Sequence, residues 1–282
     1  MSNRAGDKTI EDVRQFWTSS PLFTGEGVGT PGSREWFDEH EAVYLRDCFA
    51  GRPPAIFTDG VAREARLLDV GCGPGFWVRY FARLGFTSVS ACDLTQSAVD
   101  LTNRSLELYG LKASVTVGNA ERLPYADGSF DHVNCQGVIH HTPAPDAAVR
   151  EFARVLRPGG TACVSVYHRN LLLRRPRLLR TVSRLLGRFV GLPGRGRESL
   201  LASGNAEEIV RIYDGRDNPI GRAYTEDEFT ALMAESFEVE RVEWFFFPAR
   251  ALPVRITPPV HRWLSRHFGL MVIAVGRKRH TA

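Results

Sequence analysis

Three glycines stand at alternate positions, Gly71, Gly73 and Gly75, between an apolar run, RLLDV, and a helical pattern, FWVRYFARL, in which Phe76, Tyr80, Phe81 and Leu84 fall at helical spacing. Glycine carries the chain through positive φ and leaves no side chain between the backbone and whatever lies against it. Amide N–H groups at a helix's amino end attract anions. A loop of this kind lets a ligand lie on bare backbone, although a tight turn with no ligand uses the same residues. About twenty residues on, Asp93 closes a second apolar run, SVSACDL, where a carboxylate can accept from ribose hydroxyls or cap the helix that follows. Asn119 and Ala120 follow a third run, Gln136 belongs to a fourth, and His140 and His141 come just after it in GVIHHT. Imidazole titrates near neutrality and is the most frequent general base. A histidine here could equally cap the turn or bond to backbone. Adjacent side chains at a strand end point in different directions, so one of the pair is expected to face an acceptor; His140 is favoured because it is nearer the strand. His168, after a fifth run, is a third candidate, and Asp131 is expected to order the edge of the fourth strand.

These side chains can meet only if the runs are strands of one parallel sheet, because ligands then bind outside the strands' carboxyl ends. The pattern supports this. Strands are predicted at 66–70, 88–94, 113–118, 130–137 and 159–167, with helices at 95–109 and 145–156 between them, and the glycine-loop helix after the first strand. Thr95 should cap one helix, Pro145 should open another, and RPGG at 157–160 should stop it. Two amphipathic helices precede the core. After it come a basic segment, a linker around YDGRDNPIGRAY, a helix TEDEFTALMAESF, and two late strands, EVERVEWFFF and LMVIAVGRK, that would close the sheet. The fold class is therefore α/β: a Rossmann-like, doubly wound, seven-stranded, mostly parallel sheet. Residues 1–62 form a helical cap, 63–167 the binding core, 168–224 an inserted basic helical lid, and 225–282 the closing elements.

The net charge of +4 hides an uneven distribution: nine of the 36 basic residues are arginines in residues 168–197, where no acidic residue occurs, so the rest of the chain is net acidic. Residues 177–190 place leucines on one helical face and Arg177, Arg180, Arg184 and Arg188 on the other. No stacking aromatics are interleaved with them, so no nucleic-acid partner is expected. The helix could pack as a lid or lie on a membrane surface, so peripheral membrane association stays open and stable insertion is not expected. Five cysteines without C-x-x-C spacing read as small buried residues of a reducing compartment, and the absence of a long apolar run reads as a cytoplasmic protein. Carboxylates and histidines are not paired at ligand spacing, so no metal is expected.

Five pieces in order, LLDVGCGPG, ACDLT, GNAERLPYADGSFDHV, GVIHHTP and RVLRPGG, spanning residues 67–160, resemble class I S-adenosylmethionine-dependent methyltransferases, in particular the group related to quinone-biosynthesis and small-molecule natural-product methyltransferases. Phe76 after Gly75 departs from the G-x-G-x-x-G of nicotinamide-binding sites. The resemblance implies S-adenosylmethionine as cofactor. It implies that Asp69, Gly71, Gly73 and Gly75 hold the methionine portion, Asp93 the ribose and Leu94 a flank of the adenine. Asn119, where many relatives have aspartate, and Ala120 would contact the adenine, with Gln136 beside the methionine amino group. It implies a small-molecule acceptor, most simply the hydroxyl of a secondary metabolite, in a pocket built from Phe16, Trp17, Trp36, Tyr44, Tyr213, Tyr224 and residues 244–247. A membrane-associated quinone or lipid methyltransferase is the alternative. Oligomeric state is not legible.

Overall fold

The computed structural model describes residues 8–22, 29–171, 173–175, 205–249, 252 and 254–279. The basic helix expected at 177–190 lies outside them. Elements are numbered here among the described residues. Two helices come first, α1 (Ile10–Ser19) and α2 (Arg34–Phe49). The core runs β1 (Arg66–Val70), α3 (Phe76–Arg83), β2 (Ser88–Asp93), α4 (Gln96–Tyr109), β3 (Ser114–Val117), β4 (Phe130–Gln136), α5 (Pro145–Val155) and β5 (Leu156–Tyr167). It is followed by α6 (Ala206–Tyr213), α7 (Glu226–Ala234), β6 (Phe237–Phe245), α8 (Pro258–Phe268) and β7 (Met271–Lys278). The seven strands form one sheet in the order β3-β2-β1-β4-β5-β7-β6. β1 to β5 pair in parallel, and β7 runs antiparallel between β5 and β6.

Local chemistry sets the helix starts. Thr9 and Thr225 form capping boxes with Asp12 and Glu228, Thr95 accepts from the Ala98 N–H, and Pro145 stands in the first turn of α5. α5 ends at Val155, because Leu156 already pairs with Phe130; RPGG is therefore part of β5 and is not the stop that its composition suggested. α6 and α8 were not foreseen. Alternation along the strands feeds two cores. One contains Phe49 of α2, Trp77 and Phe81 of α3, Ile209 of α6 and Phe245; the other contains Val149 and Phe152 of α5 and Phe229 and Met233 of α7. Each such ring or branched chain stabilises the fold by about 1.5–3 kcal/mol on burial.

Asp131 accepts from the backbone and guanidinium of Arg66 and from Arg157, which ties the amino-terminal edge of β1 to β4 and β5 and holds its carboxyl well below the usual range. Of the five cysteines, Cys72, Cys92, Cys135 and Cys163 are buried, Cys48 is half-buried, and all are free thiols. No helix among the described residues is long and apolar enough to cross a membrane.

The turn after β1 is the tightest part of the core. Gly71 has φ 76°, and a Cβ there would stand 2.2 Å from Val138 Cγ2. Gly71→Ala should destabilise the protein by about 2 kcal/mol or more, from strain and clash together. Val138→Ala in the same chain should restore only the clash part. Urea unfolding of the three variants checks this; a fully restored double variant would show that the backbone conformation is not constrained.

Candidate active site

All five parallel strands end at one edge of the sheet, and β6, parallel to β5 across β7, ends there too. A single cleft opens along this edge. From the core it is lined by Gly71, Gly73, Asp93, Leu94, Asn119, Ala120, Gln136, His140 and His141, and from outside the core by Trp17, Tyr44, Tyr213 and Phe246, among others. The sequence-predicted residues thus converge, with three exceptions. Asp69 and Gly75 are not on the cleft's lining, and neither is His168.

Gly73 is the bare part of the loop. Nothing stands within 4 Å of where its Cβ would be, so the cleft has direct access to its backbone. Gly75 serves packing instead: a Cβ there would lie 3.0 Å from Thr102, whose hydroxyl donates to the Gly73 carbonyl at 2.8 Å. Gly71 and Cys72 donate their N–H groups to Cys92 O at 2.8 and 3.1 Å, and Gly73 donates to Asp93 Oδ2 at 3.0 Å. Asp93 Oδ1 accepts from the Thr95 amide and hydroxyl, each at 3.0 Å. The loop is braced again by Arg79, fully buried in α3, whose guanidinium donates to Pro74 O at 2.9 Å and lies against the Phe37 and Tyr109 rings. Its sequence position on an otherwise aromatic helix gave no sign of this role.

Asp69 is 1% exposed. Its Oδ1 accepts from Asn134 Nδ2 at 2.6 Å, Asn134 Oδ1 accepts from Gln136 Nε2 at 2.8 Å, and Gln136 lines the cleft. Asp69 Oδ2 and Gln136 Oε1 are buried without a hydrogen-bond partner among the described residues. Burial, with the Asp93 charge added, pushes the Asp69 carboxyl up to about 7, while the amide of Asn134 works against the shift. Asp69 is thus joined to the cleft by a buried relay through Asn134 and Gln136.

The Asn119 side-chain oxygen accepts from the Glu121 N–H at 3.0 Å, so part of its capacity is spent on its own turn. His140 and His141 sit in a short 3₁₀ turn (Ile139–His141), and both are buried. They do different things. His141 Nδ1 lies 2.7 Å from Ile220 O, and its Nε2 lies 3.1 Å from Asp214 Oδ2, which also accepts from the Tyr167 hydroxyl at 2.7 Å. The Asn218 amide nitrogen also lies 3.3 Å from Nδ1, so both ring nitrogens of His141 are engaged. His140 Nδ1 is buried and has no hydrogen-bond partner among the described residues, its ring lies 4.5 Å from that of Tyr167, and burial, with the nearby His141 and Arg222 charges, pushes its imidazole well below the ordinary value. His140 is therefore neutral near pH 7.

His140, His141 and Asp214 offer ligand atoms within 4.8 Å of one another, a grouping that linear spacing did not reveal. His168 is held by Gly269 O at 3.1 Å and packs on Trp244, away from the cleft. Of the other aromatics expected at the acceptor, Trp17, Tyr44, Tyr213, Phe245 and Phe246 line the cleft. Trp36 is in the core, Phe16 faces a neighbouring hollow, and Tyr224 packs against Phe229.

Residues 68–164 match the family model of a methyltransferase domain. These residues are a class I S-adenosylmethionine-dependent methyltransferase domain. Its methyltransferase core is 41% identical over 110 residues to a ubiquinone biosynthesis O-methyltransferase of Xanthomonas oryzae, covering 37% of this chain and 44% of that one. It is 34% identical over 107 residues to the methyltransferase GfsG of Streptomyces halstedii, covering 37% and 38%. The chain thus spans less than half the length of these curated relatives. Two solved structures share the methyltransferase fold: a Methanosarcina mazei S-adenosylmethionine-dependent methyltransferase (21% identity, TM-score 0.55, 80% and 98% covered) and the [4+2]-cyclase SpnF (18%, TM-score 0.59, 96% and 96%).

A raised carboxyl pKa means that the native state holds more protons than the unfolded state between about 4 and 7, so the Asp69 contribution to stability falls as pH rises through that window. Asp69→Asn keeps an oxygen for Asn134 and removes the titration. The melting temperature of the variant relative to wild type should therefore be higher at pH 8 than at pH 5. An equal difference at both pH values would contradict the buried, uncompensated carboxyl.

Proposed function

We propose that the protein transfers the methyl group of S-adenosylmethionine to a hydroxyl of a small molecule of the secondary-metabolite type, with His140 as general base. The observation that carries this is His140 itself: a neutral imidazole on the cleft wall with an unpartnered nitrogen, beside a histidine whose nitrogens are both engaged. The cofactor fits the residues present. The open backbone at Gly73 and the unpartnered Gln136 Oε1 suit its charged methionine end, Asp93 the ribose, and Leu94, Asn119 and Ala120 the adenine. When bound, it supplies an electrophilic methyl on a sulfonium.

The chain's own task is alignment, worth up to about 7–11 kcal/mol of barrier, together with exclusion of water. As the acceptor oxygen takes the methyl and the carbon–sulfur bond breaks toward sulfur, His140 takes the hydroxyl proton. His141, locked between Ile220 O and Asp214, contributes shape to the wall beside His140. Asp214 and Tyr167 are positioning residues that act through it. The reading calls for no metal, because a sulfonium's methyl is electrophilic without a Lewis acid.

His140→Ala should lower kcat by about 10²–10⁴ with donor affinity nearly unchanged. His141→Ala should do less. The wild-type rate should stay level from pH 6 to 8, because the His140 shift keeps the base in its neutral form throughout that range. It should also survive EDTA. Kinetics at saturating donor check all of these; a rise centred near pH 6.5, or losses below about threefold in both variants, would reject His140 as the base.

The ubiquinone-biosynthesis relatives favour a second reading, methylation of a quinone or lipid acceptor at a membrane surface. Sedimentation with anionic vesicles separates the two: salt-sensitive co-sedimentation of the full chain supports the second, and a protein that stays in the supernatant supports the first.

A further inference from the structure

β6 ends at Phe245, and successive residues of a strand point to opposite faces of a sheet. Phe245 stacks on Phe49 at 5.4 Å and meets Phe57 edge-on at 6.1 Å. The next ring should turn to the opposite face. It does not. Phe246 has φ 63°, a left-handed conformation that bulky side chains avoid, and its ring joins the same core cluster as Phe245. The reversed carbonyl accepts from the Leu270 N–H at 2.9 Å, which holds the turn. Strain of this kind persists only where the surroundings impose it, and it gathers at ligand sites.

The reversal has one evident product. It places the Phe246 ring on the cleft wall at the end of an aromatic row, with His140 to Tyr167 at 4.5 Å, Tyr167 to Tyr213 at 6.3 Å and Tyr213 to Phe246 at 5.9 Å. The row starts at the base and runs past two residues from outside the common core. Ile10, Val13 and Trp17 of α1 add apolar lining. Among the described lining residues there is no lysine or arginine, whereas Asp47 and Asp214 bring carboxylates. An acceptor carrying a carboxylate or phosphate would lose its hydration there without gaining a lysine or arginine partner among the described residues.

We infer that Phe246 is a specificity-determining residue, the end wall of an acceptor chamber that takes uncharged, lipophilic alcohols or phenols. This rests on the methyltransferase reading of the cleft.

The test is calorimetric titration of the full chain, in the presence of S-adenosylhomocysteine, with 2-naphthol and with 6-hydroxy-2-naphthoate, for wild type and Phe246→Asn. Asparagine tolerates the left-handed backbone and removes the ring. The naphthol should bind at least about tenfold more tightly than the naphthoate, and Phe246→Asn should weaken naphthol binding by about tenfold while S-adenosylhomocysteine affinity stays within about twofold. Naphthoate binding as tight as naphthol binding, or naphthol binding untouched by the substitution, overturns the inference. Failure of S-adenosylhomocysteine itself to bind wild type overturns instead the donor reading beneath it. Should Phe246→Asn not fold, Phe246→Leu, which keeps apolar bulk and loses the ring, is read by the same criteria.

Discussion

The hydrogen bonds that pin the glycine loop to the end of β2 are the constraint on which the site depends. Gly71 and Cys72 give their N–H groups to Cys92 O, and Gly73 gives its own to the Asp93 carboxylate. One acid therefore shapes the loop and remains on the cleft wall. The remainder of the core serves that arrangement: Thr95 orients the acid, Thr102 and Arg79 hold the carbonyls of Gly73 and Pro74, and the parallel register brings the ends of β1, β2 and β4 side by side.

The acceptor side is built on a different principle. Its polar centre is the His141, Asp214 and Tyr167 contact, in which a core turn, the residue after α6 and the end of β5 meet. Asp214, contributed from outside the core, fixes His141 beside His140. The segment carrying Asp214 also supplies Ile220 O and Tyr213, so donor and acceptor halves share walls. This suits a fold in which one donor core serves many chemistries through its additions.

Legibility in the sequence followed the range of the interaction. Strand and helix periods are local, so the order of elements and the convergence of Gly73, Asp93 and Gln136 could be read directly. The glycine loop announced itself because its geometry needs residue types that little else requires. The chain of hydrogen bonds from Asp69 through Asn134 to Gln136 was not legible, because its other members lie on another strand. Proximity to the strand favoured His140 of the two histidines, but the contacts that distinguish them, Ile220 O and Asp214, lie more than seventy residues further along a stretch that reads as linker. The burial of Arg79 and the reversed backbone of Phe246 were missed for a related reason: both contradict local preference, and only tertiary packing sustains them.

The central claim is that a single cleft holds the donor's ribose on Asp93 and presents its reactive sulfur to His140. A crystal structure of the complex with S-adenosylhomocysteine tests it most directly. The account predicts both ribose hydroxyls within hydrogen-bonding distance of Asp93, the carboxylate end at Gly73, and the sulfur facing the His140 ring and the aromatic row beyond it. A ribose seated away from Asp93, or a sulfur turned from His140, would contradict it.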